Sequence, residues 1–585
     1  MLTVDLSTLL NPNLGSISEI LRTPYRDANI TPITLTPSAL TGVGITITAS
    51  ASFFNVGQER ALLKITHGTT TGVVKLKTFG SPTTFIADVI IDFSATTASD
   101  NWQEGSWSDY RGYPKNVAAF EQRLIWGGNK HQPDTLWISL LGNVFHLMAR
   151  RLLQDVTSGS NTSGINYFIP SAIPDDKKIV SRVGELILPD DPFSITIASQ
   201  EVNPITWMSS GRRLLIGTLG AEYVAGAEDK GFGIETATLR QQTNYGGSPR
   251  RPVRASNEVM FLMRDGARLR TFKFNEQNGS YISANISLTA EHLVELGDGE
   301  IFSEFDKNYE YLDMVHQPSK DIIWMINSRG RLVGLSFSRE NENIAWFRTE
   351  LPLVDNVWGV TSIPDVTGGN DDVYMIVERD VGGKKFYLEK IAKDFDAPSL
   401  NESPLIDRNI PVFLDSSVIL DNTAGATIST ITGLTHLIAK EVFFVYSGVK
   451  QGPFIVDGAG EITLTTSVSV AGIGVTGIFY GAAVELLDLD AGADFESSEG
   501  QIQRQDRAVV RFERTRQAKV GTLKKTDTVN FKQADAQALA SGQFRNNVSS
   551  TPGLEQILRI ESTEPQPCTI LGVSVRGKSY DGGRE

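Results

Sequence analysis

Short runs in which apolar and polar residues alternate, each closed by Gly, Pro, Ser, Asn or Asp, recur along most of this 585-residue chain. Successive side chains of a strand point to opposite faces, so a period of two ending in turn residues specifies antiparallel strands and hairpins. The 53 glycines suit many tight turns, because glycine supplies positive φ without steric penalty. From residue 31 to 104 the runs ITPITLTPS, GVGITITAS, ALLKITHG, GVVKLKTF and TTFIADVIIDF read as one small antiparallel β domain. Before it, residues 1–30 form a separate segment, with a short helix expected from Ser16 as N-cap to the residue before Pro24.

Between 105 and 400 the strands fall into a loose repeat of roughly 45 to 55 residues, a propeller-like period. NVAAFEQRLIWGGN, PITWMSSGRRLLIGTLGAEYVAG, PVRASNEVMFLMRDGARLRTFKF, DIIWMINSRGRLVGLSFS and DVYMIVERDVGGKKFYLEKI belong to successive units. In one of them Met260–Met263 reads as a buried strand, Asp265-Gly266 as a hairpin signal, and Phe272 and Phe274 as returning to the core. The fold expected is therefore all-β and multidomain. A central β-propeller of about five to seven blades is flanked by small antiparallel β-barrel or sandwich domains. Past a Pro- and Asp-rich linker near 400, a small β domain is expected over 401–490 and a C-terminal β domain over 491–585. In the latter, Val510 and Phe512 share one strand face and Arg511 and Glu513 the other.

The single cysteine, Cys568, excludes an intrachain disulfide framework and a cysteine-based zinc site. No run of some 18 apolar residues occurs and the first residues lack a basic stretch, so neither a membrane span nor a signal peptide is expected. A net charge of −14 argues against bulk attraction to nucleic acid or anionic membrane. The chain is expected to be made in the cytoplasm.

Candidate chemistry is sparse. Glu121-Gln122-Arg123 invites a general acid–base reading for Glu121. The reading favoured is a strand whose polar residues satisfy buried backbone or bridge neighbouring blades. Asp134 is read in the same way, and Trp137, Trp207, Trp324, Trp346 and Trp358 as core or blade anchors rather than a sugar-stacking platform. His67, His131, His146, His292, His316 and His436 show no metal-ligand spacing, so no metal or cofactor is expected. No nucleophile elbow and no dinucleotide loop is present, and GFGIET lacks the required glycine spacing. The one marked charge cluster runs through Arg504, Arg507, Arg511, Arg514, Arg516 and Lys519 to Lys524 and Lys525. It reads as a possible channel or inter-subunit surface, with a solvated strand face, interleaved with Asp506, Glu513 and Asp527, favoured over DNA contact.

Several strings together resemble the tail nozzle family (tail tubular protein B-like) of short-tailed bacteriophages. They are GYPKNVAAFEQRLIWGGNKHQPDTLWISLLGNVFHL, LLIGTLGAEYVAG, RQQTNYGGSPRRPVRASNEVMFLMRDGARLR, SLTAEHL with Leu288, Thr289 and His292, FLDSSVILD with TITGLTHLIAKEV, and EPQPCTILGVSV. The resemblance implies a non-enzymatic virion component, a six-copy nozzle ring continuing the DNA-ejection channel below the adaptor and portal. It also implies contact with tail fibres or spikes, DNA passing the lumen without sequence-specific binding, and a C-terminal domain packed back on the ring platform. Residues 447–461 would be a candidate gating loop, although an ordinary hairpin fits them equally. The competing expectation is a propeller that binds or cleaves a glycan, in a receptor-binding spike. Cleavage would need paired carboxylates, for which Asp265, Asp321, Asp371 and Asp372 are the turn-located candidates.

Overall fold

A computed structural model describes residues 23–147 (69 and 145 apart), 189–290 (199–202 and 227–230 apart), 293, and 311–392 (339–342, 350, 352–353, 366–369 and 381–382 apart). It further describes 412–486 (423 and 447 apart) and 502–580 (532–538, 549 and 554–555 apart). The helix expected after Ser16, His292 and the linker near 400 lie outside these residues.

The described chain is built of many small antiparallel β-sheets. It divides into two compact units, residues 1–314 with 338–344, and 315–337 with 345–585. In the first unit, a six-stranded sheet runs in the order Leu35–Pro37, Ile45–Ala49, Thr84–Ile91, Thr70–Ser81, Leu62–His67, Trp102–Glu104. Its alternation buries Leu35, Ile47, Leu63, Ile65, Val74 and Phe85 in one core.

Sequential four-stranded meanders follow. The first consists of Asn116–Phe120, Arg123–Gly127, Thr135–Ile138 and Phe193–Thr196, and the second of Ile205–Ser210, Leu214–Thr218, Glu222–Gly226 and Thr238–Thr243. The third comprises Val253–Ala255, Glu258–Leu262, Leu269–Asn275 and Ser280–Asn285. Neighbouring meanders bury their faces together. Ile125 and Ile138 of the first meet Leu214 and Ile216 of the second, and Trp207 of the second meets Phe261 and Phe272 of the third. Trp207 occupies a slot that only glycine leaves open. A Cβ on Gly217 would lie 2.0 Å from its ring, and one on Gly247 2.2 Å from Nε1.

In the third meander Gly266 takes a φ of +72°, and Asp265 Oδ1 accepts the Ala267 and Arg268 amides at 3.1 and 3.3 Å. Phe272 is buried, but Phe274 is half exposed. It lies past the end of the pairing with Val259, and Tyr281 packs on it with ring centres 5.4 Å apart.

A fourth meander (Tyr311–Gln317, Ile322–Asn327, Leu332–Ser338, Asn343–Thr349) and a three-stranded fifth (Val354–Ile363, Asp372–Asp380, Lys384–Lys390) come next. Within the second unit, Trp324, Ile326 and Leu332 pack on Val357, Val373, Met375 and Val377 of the fifth. Residues 415–478 then form a four-stranded and a two-stranded sheet around Leu434, Val442 and Phe444. The suggested gating segment supplies one strand of an ordinary hairpin there, Val449–Ile455 against Glu441–Tyr446. At the C-terminal end, the sheet of Ala540–Asn547, Ile502–Thr515 and Thr569–Tyr580 buries Val510 and Phe512 against Val520, Leu558 and Ile560 of a second sheet.

Of the residues expected to form a strand, Glu121-Gln122-Arg123, Arg123 opens one and satisfies buried backbone as expected, but Glu121 and Gln122 form a turn instead. Glu121 and Gln122 have φ of 45° and 60° and join the paired Phe120 and Arg123, a two-residue hairpin whose twist matches its strands. Arg123 is almost wholly buried and donates to the carbonyls of Ser139 (2.6 Å), Pro189 (2.7 Å) and Asp191 (3.0 Å). Glu121 Oε2 accepts the Phe232 amide at 2.7 Å, which ties the turn to the connection between the third and fourth strands of the second meander.

Candidate ligand-binding surface

The fifth meander presents one apolar face inward and a second outward. Register shifts between Val354 and Asn356 and between Val357 and Gly359 insert bulges into its first strand. The second bulge breaks the alternation, so Val357 and Val360 both reach the core while Trp358 turns outward and is 62% exposed. On the middle strand Val373, Met375 and Val377 point in, leaving Ile376 and Glu378 on the outer face. Across from these two lie Leu388 and Phe386, 72% and 63% exposed. Trp358 is thus no core anchor, whereas Trp137, Trp207 and Trp324 are buried as expected.

The carboxylate of Glu378 organises this face although little of it meets solvent. Its Oε2 accepts the Trp358 indole N–H at 2.8 Å and its Oε1 faces Lys384 Nζ at 2.7 Å. Hydrogen bonds from Lys384, then Trp358, hold Glu378 below the usual carboxylate range. Phe386 stands edge-on to Trp358, centroids 6.2 Å apart. The indole is therefore locked in place while its ring remains open to solvent.

Other polar groups are committed elsewhere. Asp371 exchanges hydrogen bonds with Ser319, 2.8 Å each way. Asp372 pairs with Lys390 at 2.6 Å, and Asp321 ends a short helical turn in left-handed conformation. Among the described residues no group of three or more His, Cys, Asp and Glu side chains is placed to hold a metal ion. An open cavity of about 460 Å³ beside Thr66 and His67 is lined by Ser94, Thr97, Ser99, Asp100 and Asn101 with Ala95 and Ala98, and His67 Nε2 lies 2.8 Å from the Thr97 carbonyl. Lys64 lies nearby in sequence but in an apolar setting of Leu62, Val73, Ile90 and Ile91. Its Nζ sits 3.5 Å from the Tyr25 ring centre, and burial pushes the amine down to about 7.

The predicted basic cluster is only partly brought together. Arg504, Arg507 and Arg511 share the solvent face of one strand. Arg514 occupies an irregular position with φ of 43°, and Lys519 belongs to the other sheet, opposite Glu561. Arg516 lies between the two strands, its amide bonded to the Pro567 carbonyl, and Lys525 pairs with Asp527 at 3.6 Å.

No family model matches the chain, and no curated protein matches it. Solved structures align at low identity. A periplasmic gluconolactonase of Pseudomonas aeruginosa shares 9% identity over 62% of this chain and 99% of its own, with a TM-score of 0.26. An auxiliary nutrient binding protein of Bacteroides thetaiotaomicron shares 8% over 61% and 86%, at 0.23. AztD of Citrobacter koseri shares 8% over 78% and 100%, at 0.24.

These findings correct the phage reading. No family model and no curated protein supports a tail assignment, and the solved structures named above are a gluconolactonase, an auxiliary nutrient binding protein and AztD. The nozzle resemblance therefore falls. With it fall the six-copy ring, the adaptor, portal and fibre contacts, the DNA lumen and the virion location. The residues that suggested it have local duties. FEQRL builds a tight turn and buries Arg123, while Gly217 and Gly247 make room for Trp207. Such demands arise within a meander and carry no information about assembly.

Proposed function

We propose that the chain is a carbohydrate-binding protein of propeller type, holding its ligand on the Trp358–Phe386 face without cleaving it. The observation that carries this reading is the indole of Trp358, exposed yet fixed by its bond to Glu378 beside a second exposed ring. An aromatic face offers large contact area to the apolar face of a sugar ring, and a fixed ring loses little entropy on binding. The exposed ammonium of Lys384 at its margin suits the hydroxyls that a sugar also presents.

The propeller assignment draws on the face-to-face packing of successive meanders, which is how blades bury both sides of each sheet. Binding is preferred to cleavage because hydrolysis needs two carboxyls roughly 5 to 9.5 Å apart across the scissile bond. The turn-located candidates Asp371 and Asp372 are engaged by Ser319 and Lys390, and Glu378 is held by Trp358 and Lys384.

The test is titration calorimetry of the full chain, with neutral oligosaccharides chosen from a glycan array, on the wild type and on Trp358→Ala and Phe386→Ala. Loss of binding in both variants, with thermal unfolding unchanged, supports the reading. Binding that survives both, or release of reducing ends by the wild type, overturns it.

A further inference from the structure

The solvent face of the C-terminal sheet carries more positive charge than the sheet can neutralise. Its central strand, Ile502–Thr515, contributes Arg504, Arg507 and Arg511 to that face, while Gln503, Gln505, Ala508, Val510 and Phe512 point inward. A bulge at Asp506 keeps the arginines on one side through a change of register. The flanking strands add two more. Arg545 stands opposite Val509, and Arg576 stands directly opposite Arg507.

Like charges facing each other across strands destabilise a sheet, and here two guanidiniums occupy one cross-strand pair with a third on the diagonal. Arg576 is answered by both oxygens of Asp506. Arg507 Nε is shielded from solvent without a hydrogen-bond partner. Desolvation, then Arg545 and Arg576, push the Arg507 guanidinium below its ordinary range. Glu513, at the far end of the strand, is the other exposed carboxylate on this face.

From Arg504 to Arg511 the strand advances ~23 Å, and the three strands span ~10 Å in width. That is a narrow, flat, cationic strip. The described part of the face presents Val509, Gln543, Asn547 and Ser574 between the arginines and no aromatic ring. Among the described side chains of this face an unpaired base finds nothing to stack on, and no described helix or ribbon stands out to enter a duplex groove. Guanidinium forks match the planar oxygens of carboxylate, and equally those of sulfate, when these recur along an extended chain.

We propose that this face binds a linear polyanionic polysaccharide, one bearing carboxylate or sulfate groups, gripped by Arg504, Arg507, Arg511 and Arg545. The site is separate from the Trp358 face and stands whether or not that face binds sugar.

The test is affinity electrophoresis and calorimetry of the full chain with polygalacturonate, heparin, neutral dextran and a short DNA duplex. Wild type should bind one or both acidic polysaccharides, more weakly as salt rises, and bind dextran at this face not at all. Preference between polygalacturonate and heparin separates carboxylate from sulfate recognition. Arg507→Glu with Arg545→Glu, and independently Arg504→Ala with Arg511→Ala, should each lower that affinity by about tenfold or more, which is ~1.4 kcal/mol. The proposal is overturned if both double variants, folded by circular dichroism, bind as the wild type does. It is equally overturned if neither acidic polysaccharide binds, or if the duplex binds more tightly than both.

Discussion

Arg379 and Glu389 meet fork to fork on the inner face of the fifth meander, Nε to Oε1 and Nη2 to Oε2 both at 2.6 Å. Asp415, at the head of the next β region, closes on the same guanidinium at 3.3 Å. Arg379 is 1% exposed, so its charge is stable there only because two carboxylates face it. Its chain neighbour Glu378 points the opposite way and holds Trp358, so one strand anchors the core on one side and the aromatic surface on the other.

Removing one member of such a cluster strands the remaining charges. Arg379→Met should destabilise the protein by ~3–5 kcal/mol in denaturant unfolding, whereas replacing Arg379, Glu389 and Asp415 together by apolar residues should restore most of that loss. A single variant as stable as the wild type would show that the cluster is hydrated in solution.

The indole slot gives a second expectation. Gly217→Ala places a methyl group within 2.0 Å of the Trp207 ring, and Trp207 is itself packed on Phe261. Overpacking of this kind costs about 1–3 kcal/mol, so a lowered thermal midpoint is expected. Pairing Gly217→Ala with Trp207→Phe should recover part of the loss, since the smaller ring vacates the contact.

These sites also mark how far the sequence could be read. Alternation in VVRFE placed Val510 and Phe512 inside and Arg511 and Glu513 outside because side-chain period alone decides it. The meanders were legible for the same reason. Trp358 was misread because a bulge in VDNVWGV shifts the period by one, and no residue in that run announces it. Glu121-Gln122 was misread because neither residue is a usual choice for positive φ. The arginine face was half visible, since Arg545 and Arg576 join it only through cross-strand register. The phage resemblance rested on strings that local packing accounts for.

Lys64 makes stability depend on pH in a definite direction. Its folded value of about 7 lies below the ordinary 10.5, so between those limits the unfolded chain binds more protons than the folded one. Stability therefore rises with pH from about 7 toward 10.5 and is lowest, for this group, below 7. Each pKa unit is about 1.4 kcal/mol, so the swing is on the order of a few kcal/mol. Lys64→Met should stabilise the protein at pH 6 and flatten that slope in denaturant titrations run across the window. An unchanged slope would assign the pH dependence to other groups.

Glu378→Gln tests whether a fixed indole matters to binding. The amide still accepts a hydrogen bond but no longer attracts Lys384, whose amine now sits 2.7 Å from the carboxylate. Trp358 should gain rotamer freedom, and sugar affinity should fall by roughly threefold to tenfold, an ordering cost of about 0.5–1.5 kcal/mol. Trp358 fluorescence anisotropy in the folded variant should fall in parallel. Weaker binding with an equally rigid indole would point instead to direct contact between the carboxylate and the ligand.

The first hairpin offers a change in the stabilising direction. Gln122 holds a φ of 60° in an exposed two-residue turn, a conformation that glycine adopts without a Cβ clash. Its carbonyl accepts the Gly142 amide at 3.0 Å through the backbone, a bond that substitution leaves intact. Gln122→Gly therefore relieves strain of about 1 kcal/mol while adding some freedom to the unfolded chain, and a net gain of about 0.5 kcal/mol is expected. Glu121→Gly relieves the same kind of strain but deletes the carboxylate that accepts the Phe232 amide. It should therefore be neutral or destabilising. Thermal melts of the two variants side by side separate turn strain from the tie that Glu121 makes, and the reverse order of stability would refute the assignment of Glu121 as that tie.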